Sequence, residues 1–195
     1  MTAPYHHGDL RRALLERAIE TVAADGVEAL SLRALARDLG VSHAAPLRHF
    51  ATKADLLNAV ATEGVERLIA ATRHAATSGS ARARLRTVSL AYVAWARDNA
   101  ALHRVIRNPD VTRHGSDELR GLLSGFAARQ RREIARAQEE GWRSDDDPEV
   151  LFLHLVSLTA GAAVVATDET YRAPFGEGPS ADDLAASFDL FLSGD

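Results

Sequence analysis

Residues 31–42 have the sequence SLRALARDLGVS, which is typical of two helices joined by a tight turn. Gly40 stands where such a turn needs a positive φ, a backbone conformation that a side chain resists. Ala36 is small, so the following helix can cross close to it. Ser31 and Ser42 precede the two helical stretches and predict their N-caps. The segment therefore has the physical form of a helix-turn-helix.

Helical periodicity of apolar residues recurs along the whole chain, whereas the alternation typical of strands is nearly absent. Asp9 predicts the cap of the first helix, and Gly26 its stop. The fold class is therefore predicted to be all-α. About nine helices are expected, at residues 9–24, 32–39, 42–50, 53–77, 81–99, 100–107, 116–140, 149–167 and 181–193. Residues 108–115 and 168–180 contain proline and glycine and are predicted loops.

The composition is that of an ordinary globular protein, with 46% apolar and 26% charged residues among 195. There is no cysteine, which excludes disulfides and thiolate metal sites. The N-terminus has no apolar signal-peptide core. The longest apolar stretch, 150–166, is shorter than the ~20 residues of a membrane span. We therefore expect a cytoplasmic protein without membrane association.

The charge of the chain is not that of a general nucleic-acid binder, because the formal net charge is −4. Even residues 1–60 carry seven basic and seven acidic side chains. Affinity for a phosphate backbone depends, however, on the few cations that reach it. Any contact with DNA must come from a local arrangement of charges, in which the only lysine, Lys53, would take part.

Residues 9–60 resemble the N-terminal domain of TetR-family repressors along their whole length. The matching features are Ala23-Ala24-Asp25-Gly26, Ser31 to Ala36, Leu39-Gly40-Val41-Ser42, Arg48-His49-Phe50 and Lys53-Ala54-Asp55-Leu56-Leu57. The opening Tyr5-His6-His7-Gly8-Asp9-Leu10 is similar to a subgroup with a divergent ligand domain. The resemblance implies a helix-turn-helix DNA-binding domain, residues 1–55, followed by a helical ligand-binding and dimerisation domain, residues 56–195.

The resemblance also implies how the chain contacts DNA. The recognition helix, 42–49, should enter the major groove with its N-terminal half near base edges. Leu47 departs from the family pattern, since many members carry a tyrosine there; leucine either packs against sugar or a thymine methyl or contributes less. Pro46 removes a helical hydrogen bond, so the helix should start irregularly. The expected DNA-binding residues are Ser31, Arg33, Ser42, His43, Ala44, Leu47, Arg48, His49 and Lys53. Arg33 and His43 could instead be ordinary surface residues, and His49 could simply pack beside Phe50. Ser31 and Ser42 would serve as caps in either case.

The predicted helix 149–167 is apolar nearly all round, so we expect it to be buried on every side, within a core and against a partner. With the one-sided apolar helix 181–193, it can form a four-helix interface with the same pair from a second subunit. The alternative is a purely intramolecular core. A symmetric homodimer suits a palindromic operator.

The expected effector pocket is the least defined part of the prediction. Its candidate lining residues are Tyr92, Trp95, His103, Ile106, Phe126, Gln130 and His154. Several of these could simply be core residues. Four arginines, at 129, 131, 132 and 136, are expected to form a solvated helix face, with binding of an acidic ligand as the alternative.

No motif for metal binding, cofactor binding or catalysis is evident, because His6-His7 and Asp145-Asp146-Asp147 lack ligand spacing. The sequence therefore predicts a non-enzymatic regulator. We expect a ligand-responsive repressor that binds double-stranded operator DNA as a homodimer and answers an unknown small-molecule effector. Alternatives are an activator or effector-independent regulator of the same fold, and a helical adaptor that binds protein.

Overall fold

The computed structural model describes residues 7–75, 78–173, 176 and 178–193, without the side chains of residues 7–9, 112 and 172. Within these residues the chain contains helices and no strand, which confirms the predicted all-α fold. The α-helices in order are α1 (His7–Asp25), α2 (Leu32–Asp38), α3 (Lys53–Ala75), α4 (Ala81–Asp98), α5 (Ala100–Ile106), α6 (Pro109–Arg113), α7 (Asp117–Glu139), α8 (Pro148–Thr167), α9 (Glu169–Arg172) and α10 (Ala181–Leu192). A short 3₁₀ turn, Pro46–Arg48, lies between α2 and α3.

Three helix boundaries differ from the sequence-based expectation. Helix α1 begins at His7, before Asp9, so Asp9 is not its cap. The first predicted loop contains α6, because the Asn108 side chain accepts a hydrogen bond from the Asp110 amide at 2.9 Å and Pro109 suits the first helical turn. The second contains α9, capped in the same way by Asp168. Residues 5, 6 and 77, which the predictions also included, lie outside the described residues.

The chain forms two compact units. The first comprises Met1–Val65 and Ala100–Arg120, and the second comprises Glu66–Asn99 and Gly121–Asp195. Helix α3 is continuous from Lys53 to Ala75, so its beginning belongs to the first unit and its end to the second. The division between a DNA-binding domain, 1–55, and a ligand domain, 56–195, stays a prediction.

The first unit is built on α1, whose buried stripe includes Leu14, Ala18 and Val22. This stripe packs with α2 and α5. On the surface, the Arg17 guanidinium donates to Asp38 through Nε at 3.2 Å and Nη2 at 3.0 Å, and so links α1 to the end of α2.

The second unit is built on α4, which packs against α8 and α10. The buried residues of this layer include Leu85 and Val93 of α4, Leu155 of α8 and Phe188 of α10. The Thr159 hydroxyl donates to Ser89 at 3.2 Å between α8 and α4. Helix α10 begins with a capping box, in which the Ser180 and Asp183 side chains each accept from the other's backbone amide.

Helix α8 is only partly buried within one chain, and the expected burial of its remaining surface against a partner stays a prediction. Leu151, Leu155 and Ala163 are buried, whereas Val150, Leu153 and Val156 are exposed, Leu153 to 62%. Among the described residues, α8 is also the one helix long and apolar enough to cross a membrane, with a mean hydropathy of 2.0. The helix as a whole, at 20 residues, reaches the length of a membrane span, whereas the apolar stretch 150–166 within it is shorter. Core helices of soluble proteins have the same length and composition.

His103, on α5, is 1% exposed in the core of the first unit. Burial, together with the nearby positive charge of Arg107, lowers the pKa of its imidazole to about 4. The ring is therefore neutral at physiological pH.

The low pKa of His103 predicts acid sensitivity. The pKa of histidine is 6.5 in the unfolded chain, whereas that of His103 in the folded chain is about 4. Stability contributed by the neutral ring is therefore full above pH 6.5 and is lost as pH falls towards 4. Urea unfolding should show a loss of about 2 kcal/mol between pH 7 and pH 5 from this group. His103→Gln should flatten that slope, whereas His114→Gln, at an exposed position, should not; equal slopes in all three proteins would contradict the assignment.

Candidate nucleic-acid interface

The turn between α2 and the following segment is a Schellman motif. Gly40 has a φ of +66°, and its amide donates to the Arg37 carbonyl at 3.1 Å. The Val41 amide donates to the Ala36 carbonyl at 2.9 Å. These two bonds satisfy carbonyls that the end of a helix leaves open. The predicted positive φ of Gly40 is confirmed.

The segment after the turn is not the α-helix predicted for 42–50. Ala45 donates to the Ser42 carbonyl at 3.0 Å, and Arg48 donates to the Ala45 carbonyl at 3.2 Å, both with the short spacing of turns and 3₁₀ helices. The physical reason is Pro46, which has no amide to donate to the Ser42 carbonyl. The irregularity expected from Pro46 is therefore found, and it extends over the whole segment.

The two predicted serine caps do not form. Ser31 occupies the N-cap position of α2 with extended backbone, but its side chain accepts no capping hydrogen bond. The 3₁₀ turn has Ala45, not Ser42, at its N-cap. Both serine residues are exposed, and neither side chain acts as a helix cap.

A surface depression of about 350 Å³ lies in this region of the first unit. It brings together five of the nine residues expected to bind DNA: Ser31, Arg33, His43, Leu47 and Lys53. Sequence reasoning missed Leu30 and Leu32, which also line it. Two of the described lining residues are cations and none is acidic, so the depression has the charge that suits a phosphate backbone.

The remaining four expected residues lie outside this depression. Ser42, Ala44 and Arg48 are exposed, and His49 is partly buried next to the core residue Phe50. Phe50 is 3% exposed, as its residue type indicates. The guanidinium carbon of Arg11 lies 5.5 Å from the centroid of the Phe50 ring, a contact with α1 that the sequence did not predict.

Lys53 begins α3 beside the depression. Its ammonium donates to the Glu28 carbonyl at 3.1 Å, and its side chain is only partly exposed. The helix is capped by Thr52, whose hydroxyl accepts from the Asp55 amide at 3.1 Å while the Asp55 carboxylate accepts from the Thr52 amide at 2.9 Å. Lys53 is thus held at the positive end of a helix, where anions are favoured.

The residues expected to line an effector pocket are divided between the two units. His103 and Ile106 are core residues of the first unit. The other five belong to the second unit: Tyr92, Trp95, Phe126, Gln130 and His154. Trp95 and Gln130 are buried, whereas His154 is exposed on α8, where it stacks on Phe191 with 6.0 Å between the ring centroids.

Three of the four arginines expected on a solvated face of α7 are exposed, and Arg129 is the exception. Arg131 pairs with Glu149 at 2.8 Å and Arg136 pairs with Glu133 at 2.8 Å. Arg132 is exposed as expected, but Arg129 is partly buried. Among the described residues, no cluster of three potential metal-ligating side chains occurs.

The Schellman turn leads to a test of backbone strain. An added Cβ at Gly40 would meet no atom within 4 Å, so Gly40→Ala should destabilise only through the positive φ, by about 1 kcal/mol. Gly125 lies inside α7 with the same open space and helical φ, so Gly125→Ala should stabilise by about 0.5 kcal/mol. Urea denaturation measures both; a neutral or stabilising Gly40→Ala would contradict the motif.

Comparison with known proteins relates this geometry to a family. The model of the tetR family of bacterial regulatory proteins matches residues 14–60, which include α2, the Gly40 turn and the start of α3. A search of curated proteins found no match.

Solved structures resemble the whole chain. A protein with unknown function from Rhodococcus sp. RHA1 is 33% identical, with a TM-score of 0.82 over 98% of both chains. A bacterial regulatory protein in the tetR family from Rhodococcus RHA1 is 27% identical, with a TM-score of 0.74 over 94% of this chain and 95% of that one. AibR, solved with isovaleryl coenzyme A and operator DNA, is 15% identical and shares the fold, with a TM-score of 0.73 over 95% of this chain and 100% of that one. The chain belongs to the TetR family of DNA-binding transcription regulators.

Proposed function

We propose that the chain is a ligand-responsive repressor that binds a palindromic operator as a homodimer. The observation that carries the proposal is the depression lined by Ser31, Arg33, His43, Leu47 and Lys53, formed around a helix-turn-helix of the family type. The alternative function, a helical adaptor that binds protein, has less support. A protein partner does not require a depression that has two cations and no acidic residue.

The roles of these residues follow from their chemistry. Lys53 binds phosphate at the N-terminus of α3, and Arg33, exposed in the first turn of α2, contacts phosphate or a guanine edge. His43 and Ser31 supply hydrogen bonds to the backbone or to bases. Leu47 is 54% exposed, and such an apolar side chain is suited to contact with a thymine methyl. In this arrangement cations position the protein and the short segment after Gly40 reads sequence. The exposed residues Ser42, Ala44 and Arg48, with His49, form the rest of the proposed surface.

A salt titration of DNA binding tests the role of Lys53. Lys53→Gln should weaken operator binding and reduce the slope of log K against log salt by about 1.8, since each phosphate contact contributes about 0.9 and a dimer has two. Lys53→Arg should keep most of the slope. Arg104→Gln removes an exposed cation from α5 of the same unit and is the matched control. An unchanged slope in Lys53→Gln would contradict the phosphate contact.

The homodimer is proposed on the exposed apolar surface of the second unit. Val150, Leu153 and Val156 of α8 are exposed, and Leu190 of α10 is 80% exposed. Large exposed apolar side chains of this kind are typical of an interface between subunits. The proposed interface is the α8 and α10 pair, residues 149–167 and 181–193, packed on the same pair of a second copy.

A single charge should break this interface. In the proposed dimer, Leu153→Asp replaces two interface leucines, one from each subunit, by two carboxylates. Dimerisation should therefore weaken at least about a hundredfold. Leu47→Asp, at a similarly exposed apolar side chain in the first unit, should stay dimeric and lose DNA binding. Sedimentation velocity separates the two results. A Leu153→Asp protein that remains a full dimer would rule out this interface.

The response to an effector is proposed through α3. This helix begins with Lys53, at the proposed DNA surface, and ends in the second unit. A ligand that binds there changes DNA affinity only if it prefers one of two arrangements of this helix. AibR, solved with a small molecule and operator DNA, is an example of the same fold with both partners. Activation in place of repression would show as increased transcription from a bound promoter.

A further inference from the structure

Arg129 of α7 is partly buried in the second unit against the end of α3. Its Nη2 donates to the Thr72 hydroxyl at 3.5 Å, a long contact. Thr72 is 1% exposed, and its own hydroxyl proton is directed to the carbonyls of Leu68 and Ile69 at 3.0 and 3.1 Å. The Arg129 guanidinium carbon also lies 5.2 Å from the centroid of the Phe126 ring. Most of the donors of this guanidinium are therefore not used.

Arg129 forms no ion pair with a carboxylate in the part of the chain that the structure describes. Within the described part of the chain, Arg129, Arg73 and Arg132 make no ion pair within 4.0 Å. Glu133, one turn along α7, is already bound by Arg84 through its Oε2 and by Arg136 through its Oε1. Glu133 is therefore already paired with two other arginines.

The electrostatic consequence is an excess of positive charge around a partly buried group. Burial lowers the pKa of Arg129, the charges of Arg73 and Arg132 lower it further, and Glu133 opposes this in part. Elsewhere on the same helix, Arg131 pairs with Glu149 through two hydrogen bonds at 2.8 and 2.9 Å. Arg129 lacks such a partner among the described residues, so its charge is balanced only by solvent or by an anion supplied from outside.

We propose that Arg129, with Arg73 and Arg132, binds the carboxylate or phosphate group of a small organic effector, whose carbon chain lies against Phe126. This inference rests on the proposed ligand response and gives the chemical class of the ligand. A planar guanidinium with free donors matches the two oxygens of such a group. The partly buried position suits a small anion better than a polymer backbone. Thr72 and Arg73 belong to the last turns of α3, so an anion held here acts on the helix that begins at Lys53.

Calorimetry without DNA tests the site with three probes of equal chain length: octanoate, octyl phosphate and the neutral 1-octanol. At constant ionic strength in chloride, at least one anionic probe should bind the full chain more than about tenfold tighter than 1-octanol. Arg129→Gln, which keeps a donor for Thr72, should weaken that binding at least about tenfold. Arg131→Gln removes a paired cation from the same helix and should leave the affinity unchanged.

The outcomes separate this inference from the proposed function. Binding of octanoate alone or of octyl phosphate alone supports the site and identifies the head group. Binding of neither anion above 1-octanol, or equal binding by Arg129→Gln, overturns the site while operator binding can still be measured independently. Anion binding by a chain that binds no specific DNA would sink the proposed function and leave the site standing.

Discussion

The left-handed backbone of Gly40 is the constraint on which the proposed DNA surface depends. It ends α2 after seven residues and satisfies two helix carbonyls through the amides of Gly40 and Val41. The same turn places His43 and Leu47 in one depression with Arg33 and Lys53. Without the positive φ at residue 40, these side chains, which belong to three different segments, would not line one surface.

The two units differ in how much of their apolar surface is buried. The first has a closed core, built on Leu14, Ala18 and Val22 of α1, and presents polar and basic groups around Gly40. The second leaves apolar side chains of α8 and α10 in water. Exposed apolar surface of this extent lowers solubility unless another surface covers it. Homodimerisation is therefore part of the proposal for stability as well as for operator symmetry.

Electrostatics in this chain is local. The net charge is −4, and several surface arginines are paired with acids, as Arg17 is with Asp38 and Arg131 with Glu149. The cations that matter for the proposed function are those without an acid partner among the residues that the structure describes. Lys53 and Arg33 line the proposed DNA surface, and Arg129 is partly buried beside Arg73 and Arg132. Both proposed anion sites thus depend on local cations and not on the net charge of the chain.

Much of the fold could be predicted because helix signals are local. Glycines at 26 and 40 ended helices at positive φ as expected, and most helix bounds agreed within a few residues. The short helices α6 and α9 were missed because their caps, Asn108 and Asp168, lie in segments that also contain turn residues. Whether Ser31 would use its side chain as a cap depends on geometry that residue type does not determine.

The candidate site was less predictable because it depends on contacts between distant residues. The residue types around Gly40 gave five lining residues of the depression, but Leu30 and Leu32 carry no signal that separates them from core leucines. The effector pocket stays a prediction, and periodicity carries no information on the fact that His103 and Phe126 belong to different units. Arg129 lies near Thr72 and Arg73, whereas Arg131 pairs with Glu149. These neighbours are distant in sequence, so residue type alone does not distinguish the two arginines.

The most direct test of the account is selection of bound sequences from random double-stranded DNA by the full-length chain. The account predicts enrichment of a two-fold symmetric sequence, with half-sites about 34–36 Å or a multiple apart, bound by one dimer. It also predicts loss of that enrichment when Arg33 and Lys53 are both replaced by Gln. A selection that enriches no sequence, or one that the doubly substituted protein enriches equally well, would contradict the central claim.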